Sequence, residues 1–369
     1  MESKTLNSKA DNRICVRQIC FILIAFNVCG KVLLYPTNLS FYLKNDLWVG
    51  ALIDFLLHGV AVWAAAYACS KSDLTFYTRL QNAFGKVVAK IIMGLFALYF
   101  LFASILPLGE HKLYVQDIFY DTIPSLIPFL PFFFFSVYAG AKGLNSTARA
   151  ADLCFILFVI SIGTILIMSF DEVDFSNLLP LFSNPPQSVL QGALMGSTRF
   201  SEAAYILLFM GHFKYKKGDA LKITLSYGVG GLIVLFICVI FYGIYADLSP
   251  NIFFVISKIS TFFSAVNNVG RVDYIALYAL EVVMLFSLVL KVQACRYCVE
   301  KAIGFSNGGL ISLGINAVLI ILTVVFDHRF TILQNFVGGW GVIAFIVFAN
   351  VIPILSLILK KGEKRNANA

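Results

Sequence analysis

Several charged side chains stand deep inside apolar stretches of this chain. Lys31 closes Phe26-Asn27-Val28-Cys29-Gly30-Lys31 in one apolar run. Arg199 and Glu202 lie within Gly196-Ser197-Thr198-Arg199-Phe200-Ser201-Glu202 in another, and Glu281 sits deep in a third. An ionisable residue buried among apolar ones marks function by default. Where such a run is an interrupted helix, its half-helix amide ends would face a substrate carboxylate and its carbonyl ends an ammonium, which predicts a small zwitterion, an amino acid being the simplest. Asn27 and Lys31 are one helical turn apart and share a face. Asp54 and His58 have the same spacing and are either a proton site or a buried structural pair. Tyr274, Tyr278 and Glu281 fall on one side of a helix, facing either a cavity or packed neighbours. Glu281 is a partner for Lys31 or for Arg199.

Soluble-enzyme chemistry has no counterpart here. The chain has no GxxxxGK[ST] loop, no dinucleotide fingerprint and no HExxH. Its four His (58, 111, 212, 328) are too scattered for a metal site. The expectation is a protein that is not an enzyme, with no cofactor and no metal.

The elements that must position these residues follow from composition. Of 369 residues, 59% are hydrophobic and 13% charged, with 36 Phe and a mean hydropathy of +0.85. Soluble domains carry about 25% charged residues. A soluble enzyme, a coiled coil and a disordered chain are excluded, and an all-α polytopic membrane protein remains. Ten runs of spanning length fall at 18–36, 47–69, 87–108, 118–138, 152–170, 188–211, 222–246, 273–295, 309–326 and 335–359. The fourth, with Pro124, Pro128 and Pro131, is expected to bend or to start outside helical geometry. Residues 252–266 are apolar but short, and read as an eleventh, partial element lying in the membrane interface. The chain is one integral membrane domain: 1–170 a first five-helix repeat, 188–359 a second, and 360–369 a basic tail.

Orientation follows from the 28 Lys and Arg. With both termini cytoplasmic, only Lys44, Lys112, Lys258, Arg271 and Arg329 fall outside, while Lys291, Arg296 and Lys301 join the inside majority. The net charge of +8 is spread through these short loops, so no nucleic-acid partner is expected. The first 18 residues are polar and no cleavage-site pattern follows the first run, so the N-terminus reads as retained. The eight Cys lie in or beside apolar runs and read as core residues, Cys295-Arg-Tyr-Cys298 included.

The first and sixth runs break helix rules. Gly30 and Tyr35-Pro36 weaken the first, where Lys31 either lines a pocket or snorkels to the interface. In the sixth, Gly192 and Gly196 have the GxxxG spacing of close helix packing, but that leaves Arg199 and Glu202 without an account. Interrupted helices at corresponding positions of two halves are the sequence pointer to a midplane site in an inverted-repeat transporter.

Several motifs in chain order resemble the spore-germination permeases, the B subunits of germinant receptors, within the amino acid–polyamine–organocation superfamily. They are Val16-Arg17-Gln18 before the first helix and Asp46-Leu47-Trp48 at the start of the second. Gly143-Leu144 with Ala148-Arg149-Ala150 follows the fourth, and Leu179-Pro180 precedes the sixth. Phe200-Ser201-Glu202 lies inside the sixth, and Gly270-Arg271-Val272-Asp273 stands before the eighth. The resemblance implies a LeuT-like five-plus-five inverted repeat with helices 1 and 6 broken, in the inner membrane of an endospore. It implies a membrane A subunit and a lipoprotein C subunit as partners, and a small nutrient as ligand. Ligand residues implied on spans one, three, six and eight are Asn27, Gly30, Tyr99, Thr198, Phe200, Glu202 and Tyr278. Lys31 and Arg199 depart from the family pattern and add cations to that set. A stand-alone proton-coupled amino-acid transporter using Asp54 or His58, and a water- or ion-conducting subunit, are the alternatives.

Overall fold

The computed structural model describes residues 14–71, 73–119, 124, 126–213, 215–261, 273–326 and 330–358, and no strand occurs among them. The helices are α1 Val16–Cys29, α2 Tyr35–Leu43, α3 Leu47–Ser70, α4 Phe76–Phe119, α5 Leu126–Lys142, α6 Leu144–Ser169, α7 Pro186–Gly196, α8 Glu202–Phe209, α9 Asp219–Tyr245, α10 Val255–Ser260, α11 Asp273–Ile303, α12 Gly308–Val325, α13 Phe330–Phe336, α14 Val342–Ile346 and α15 Ile352–Leu355. Local chemistry sets their ends. The Gln18 side chain accepts from the Cys15 amide at 3.1 Å to start α1. Pro186 opens α7, where its missing N–H costs nothing. Gly143, at φ +81°, makes the direct turn from α5 into α6 that a side chain would strain.

Among the described residues, six helical segments are long and apolar enough to cross a membrane: Tyr35–Ser70, Phe76–Ile118, Leu144–Glu172, Asp219–Asn251, Asp273–Ile303 and Gly308–Val325. A pair bent by 60°, Thr331–Gly339 and Val342–Leu355, makes a seventh if counted as one span, and α1 and α5 are apolar but shorter. Large apolar side chains such as Val87, Phe134 and Ile167 are more than two-thirds exposed on the outside of the bundle. Only lipid solvates such a surface, so the protein is an integral membrane protein. The eight cysteines are free thiols, and Cys295 and Cys298 are buried in α11.

Three expectations change. The third run is far longer than 87–108: α4 carries Glu110, His111 and Lys112 inside it, all buried. Lys112 is therefore no loop residue, because apolar positions Leu108, Leu113 and Val115 continue the helix past the charges. The described part of the short apolar segment, residues 252–261, packs into the protein. Val255, Ile256 and Ile259 of α10 are fully buried, and the Val255 amide donates to Leu33 O at 2.9 Å. The fourth helix begins at Leu126, with Pro131 inside it. The segment 262–272, with most of the Gly270–Asp273 motif, lies outside the described residues, as do 1–13 and 359–369.

Two chain interruptions face each other in the core. Residues 30–34 separate α1 from α2, and α10 supplies a donor to that turn at Leu33. Phe200, at φ −102° and ψ 124°, leaves helical geometry between the short 3-10 turn Ser197–Arg199 and α8. The GxxxG glycines serve packing within the chain: a Cβ on Gly196 would collide with the Asp54 carboxylate and come within 2.8 Å of the Tyr35 ring, and one on Gly192 would press on Leu43. Gly30 has φ −70°, open to any residue, so the first interruption does not depend on its being glycine.

Asp46 anchors the connection into α7. Its carboxylate accepts from the Phe182 amide at 2.7 Å, the Asn184 amide and Nδ2 at 2.9 Å each, and Ser183 Oγ at 3.2 Å. Trp48, two residues on, packs edge-on against Phe182. Asp46→Ala orphans two backbone donors at once. It is expected to cost about 1.5–3 kcal/mol, seen as a lower thermal midpoint in detergent and faster protease cleavage within 179–185; an unchanged cleavage rate would show that the loop holds without it.

Candidate functional site

The residues of the two interruptions converge on one buried ion pair. Lys31 Nζ, fully buried, donates to Glu202 Oε1 at 2.8 Å, to Asn27 Oδ1 at 2.6 Å and to Asn27 O at 3.4 Å. Its ammonium also lies 4.0 Å from the centre of the Phe200 ring. All three N–H bonds are used and a ring face adds a cation–π contact, the arrangement that makes a desolvated Lys tolerable. Glu202 Oε2 accepts from the Ser201 amide at 3.0 Å. The carboxylate therefore caps the start of its own helix while closing the pair, and its negative charge suits the positive end of the α8 dipole.

Aromatic rings wall this pair. Phe200 stacks on His58 with centroids 4.2 Å apart and planes 3° from parallel, and takes Tyr35 and Phe55 edge-on. The Tyr99 hydroxyl reaches Phe200 O at 3.5 Å. Asp54 and His58 do not bond each other. Asp54 accepts from the Tyr35 hydroxyl at 2.9 Å and lies 3.2 Å from Ser197 Oγ, because the turn from 54 to 58 aims the two side chains at different neighbours.

Arg199, in the 3-10 turn that follows α7, pairs with Glu110 of α4. It stands between two spaces. On one side is a cleft of about 500 Å³ lined by Asn38, Tyr42, Met195, Thr198, Gln334 and Asn335, among others. On the other is a cavity of about 20 Å³, room for one water, bounded by Asn27, Gly30, Ser201, Glu202, Ser287 and Lys291. The cleft is within the size range of small-molecule sites.

Of the residues singled out from sequence, Asn27, Lys31, Phe200, Glu202, Tyr99 and Asp54 are thus brought into one network, with His58 stacked on it. Gly30 lines the small cavity, and Thr198 and Arg199 line the cleft. Two are not brought in. Tyr278 is half exposed on the outer side of α11, since 278 is rotated away from the buried face that holds 277, 280 and 281. Glu281 answers neither Lys31 nor Arg199; its carboxylate lies 3.5 Å from His111 Nδ1.

Glu110, His111 and Lys291 were missed. The first two follow an apolar run and look like the start of a loop. The periodicity of Leu113, Val115 and Ile118 was the available signal that the helix continues. Lys291 falls within the run 273–295, although its charge alone groups it with the cytoplasmic segments. It lies mid-helix in α11, one turn after Ser287, and no carboxylate among the described residues comes within ion-pair distance of it.

This helical arrangement is shared with a solved membrane transporter. Over 94% of this chain and 82% of the other it superposes on the crystal structure of a mutant manganese transporter from Eremococcus coleocola, with a TM-score of 0.59 at 12% identity, a likeness of fold alone. Residues 13–331 match the spore permease family, described as spore germination protein, and the chain belongs to that family. It is similar to spore germination protein YndE of Bacillus subtilis (strain 168), 22% identical over 220 residues covering 59% of this chain and 61% of that one. It is also similar to spore germination protein KB of the same organism, 24% identical over 232 residues covering 60% of each. The chain spans about three fifths of the length of the curated relatives it matches.

Glu202→Leu strands a buried ammonium and Lys31→Met a buried carboxylate, each at an expected cost of about 3–5 kcal/mol, whereas the double variant Lys31→Met/Glu202→Leu removes both charges and costs less than either single change. Thermal midpoints of the three variants check this coupling; additive losses would show that the two side chains do not stabilise one another.

Proposed function

We propose that this chain is the membrane subunit of a spore germinant receptor, taking a small nutrient, an amino acid, into the cleft that ends at Arg199. In this reading the chain spans the inner membrane of the endospore ten times, with both termini cytoplasmic. Residues 1–170 and 188–359 form LeuT-like inverted repeats. The α1/α2 and α7/α8 pairs are broken spans one and six, which puts the cleft on the outer side. A membrane A subunit and a lipoprotein C subunit read the ligand-bound state out as germination. Family membership supports the germination role, and the fold supports a ligand path between the broken helices.

The single observation that carries the ligand class is the placement of Arg199. It floors a cleft of metabolite size, and its bond to Glu110 is one that a ligand carboxylate can replace. Thr198 and Arg199 touch the ligand first. Lys291 waits beyond as a second cation for the carboxylate, next to Glu202, Asn27 and Ser287. Lys31, Asn27, Phe200, Glu202 and Tyr99 hold the interruption in shape. A ligand shifts the helices between arrangements only by its difference in affinity for them. Trading Glu110 for a carboxylate at Arg199 supplies that difference. The transporter-type fold favours a second reading, a stand-alone proton-coupled amino-acid transporter using the same cleft.

Thermal stabilisation of the purified chain against a panel of amino acids and sugars tests both. A raised midpoint is expected with a carboxylate-bearing compound, lost in Asn38→Trp, which fills the cleft mouth from an exposed position. Stabilisation by an uncharged sugar, or one that survives Asn38→Trp, would refute the cleft and Arg199 as the site. Uptake of the same compound into vesicles by this chain alone would select the transporter.

A further inference from the structure

A second set of titratable groups lies in the core apart from the cleft. His111 of α4 and Glu281 of α11 are both buried, at 2% and 6% exposure. The two side chains are 3.5 Å apart, close enough to attract but not to bond well, and neither Glu281 oxygen nor His111 Nδ1 has a hydrogen-bond partner among the described residues. Other groups within electrostatic reach are Tyr114 on α4 and the Cys29 thiol at the end of α1, with Cys154 of α6 beside Cys29. From the other helices packed on α11, α12 has no titratable side chain, while Tyr138 and Lys142 of α5 are exposed. Glu110, next to His111, is engaged by Arg199.

We propose that His111 and Glu281 bind one exchangeable proton between them, at a site separate from the ligand cleft. The charge balance of the site favours it. With no added proton, a carboxylate faces a neutral imidazole and lacks a counter-charge; with two, an imidazolium faces a carboxylic acid and lacks one in turn. One proton, taken from water, satisfies the pair as imidazole with carboxylic acid or as imidazolium with carboxylate. A cavity of about 260 Å³, lined by Asp117, Lys258, Tyr274 and Leu277 among others, lies nearby, Leu277 being one helical turn from Glu281. The proton would sit one residue from the Arg199–Glu110 pair that floors the cleft, so its presence bears on the same helices without entering the ligand site. Asp54 and His58, bonded elsewhere, have no such shared vacancy.

The test needs no ligand. The full chain in liposomes is taken from about pH 8 to pH 5, where His and perturbed carboxylates exchange protons, and proton uptake is counted alongside infrared difference spectra. Wild type is expected to take up one proton per chain more than the His111→Gln/Glu281→Gln double variant. It should also show a carboxylic-acid or imidazolium band that vanishes in Glu281→Gln and shifts in Glu281→Asp. The double variant leaves no buried charge, so it keeps the test valid if the single ones fold poorly. Equal proton counts and identical difference spectra for wild type and the double variant would overturn the proposal.

Discussion

The ion pair between Lys31 and Glu202 is the constraint on which the rest of the core is arranged. An ammonium at full burial is tolerable only when every N–H has an acceptor, and here the acceptors come from both chain interruptions: Asn27 from the first, Glu202 from the second. Neither interruption is positioned without the other. The turn at 30–34 brings Lys31 inward, and the extended Phe200 frees α8 to begin at Glu202 with its carboxylate facing that ammonium. Phe200 then has a single place to lie, against the ammonium and the ring of His58.

Around this pair the polar groups sort into three compartments by the helix that carries them. Asp54, Tyr35 and Ser197 form a hydrogen-bonded set made possible by the absence of a side chain at Gly196. Arg199, paired with Glu110, lines both the open cleft and the small cavity of Lys291. His111 and Glu281 sit by themselves between α4 and α11. Such partition has a physical reason. Each buried charge has to be met by a bonded partner, and a helix offers one only to what its own face meets.

The α10 segment shows how a membrane protein meets the backbone cost of an interruption. With no water in the hydrocarbon to satisfy a freed carbonyl, the Leu33 oxygen takes its hydrogen bond from Val255, and Thr37 Oγ1 donates to Ile252 O at 2.6 Å. What looks from its length like an interfacial fragment is a buried support for the first interruption. Asp46 does the same for the opposite side, gathering the donors of 182–184 and so fixing where α7 starts.

The sequence by itself determined the class of protein, the two interruptions and the odd charges within them. These are local facts: an apolar excess is visible in any window, and Lys31, Arg199 and Glu202 violate it where they stand. It also carried the family, through short motifs whose order survives low identity. Tertiary structure decided the pairing. Lys31 and Glu202 are 171 residues apart, and Arg199 and Glu110 are 89 apart. Four charges admit several pairings until helix rotation chooses one. That rotation took Glu281 to His111, turned Tyr278 outward and separated Asp54 from His58. A shared turn fixes which residues lie on one face, but only the packed neighbours decide what that face meets.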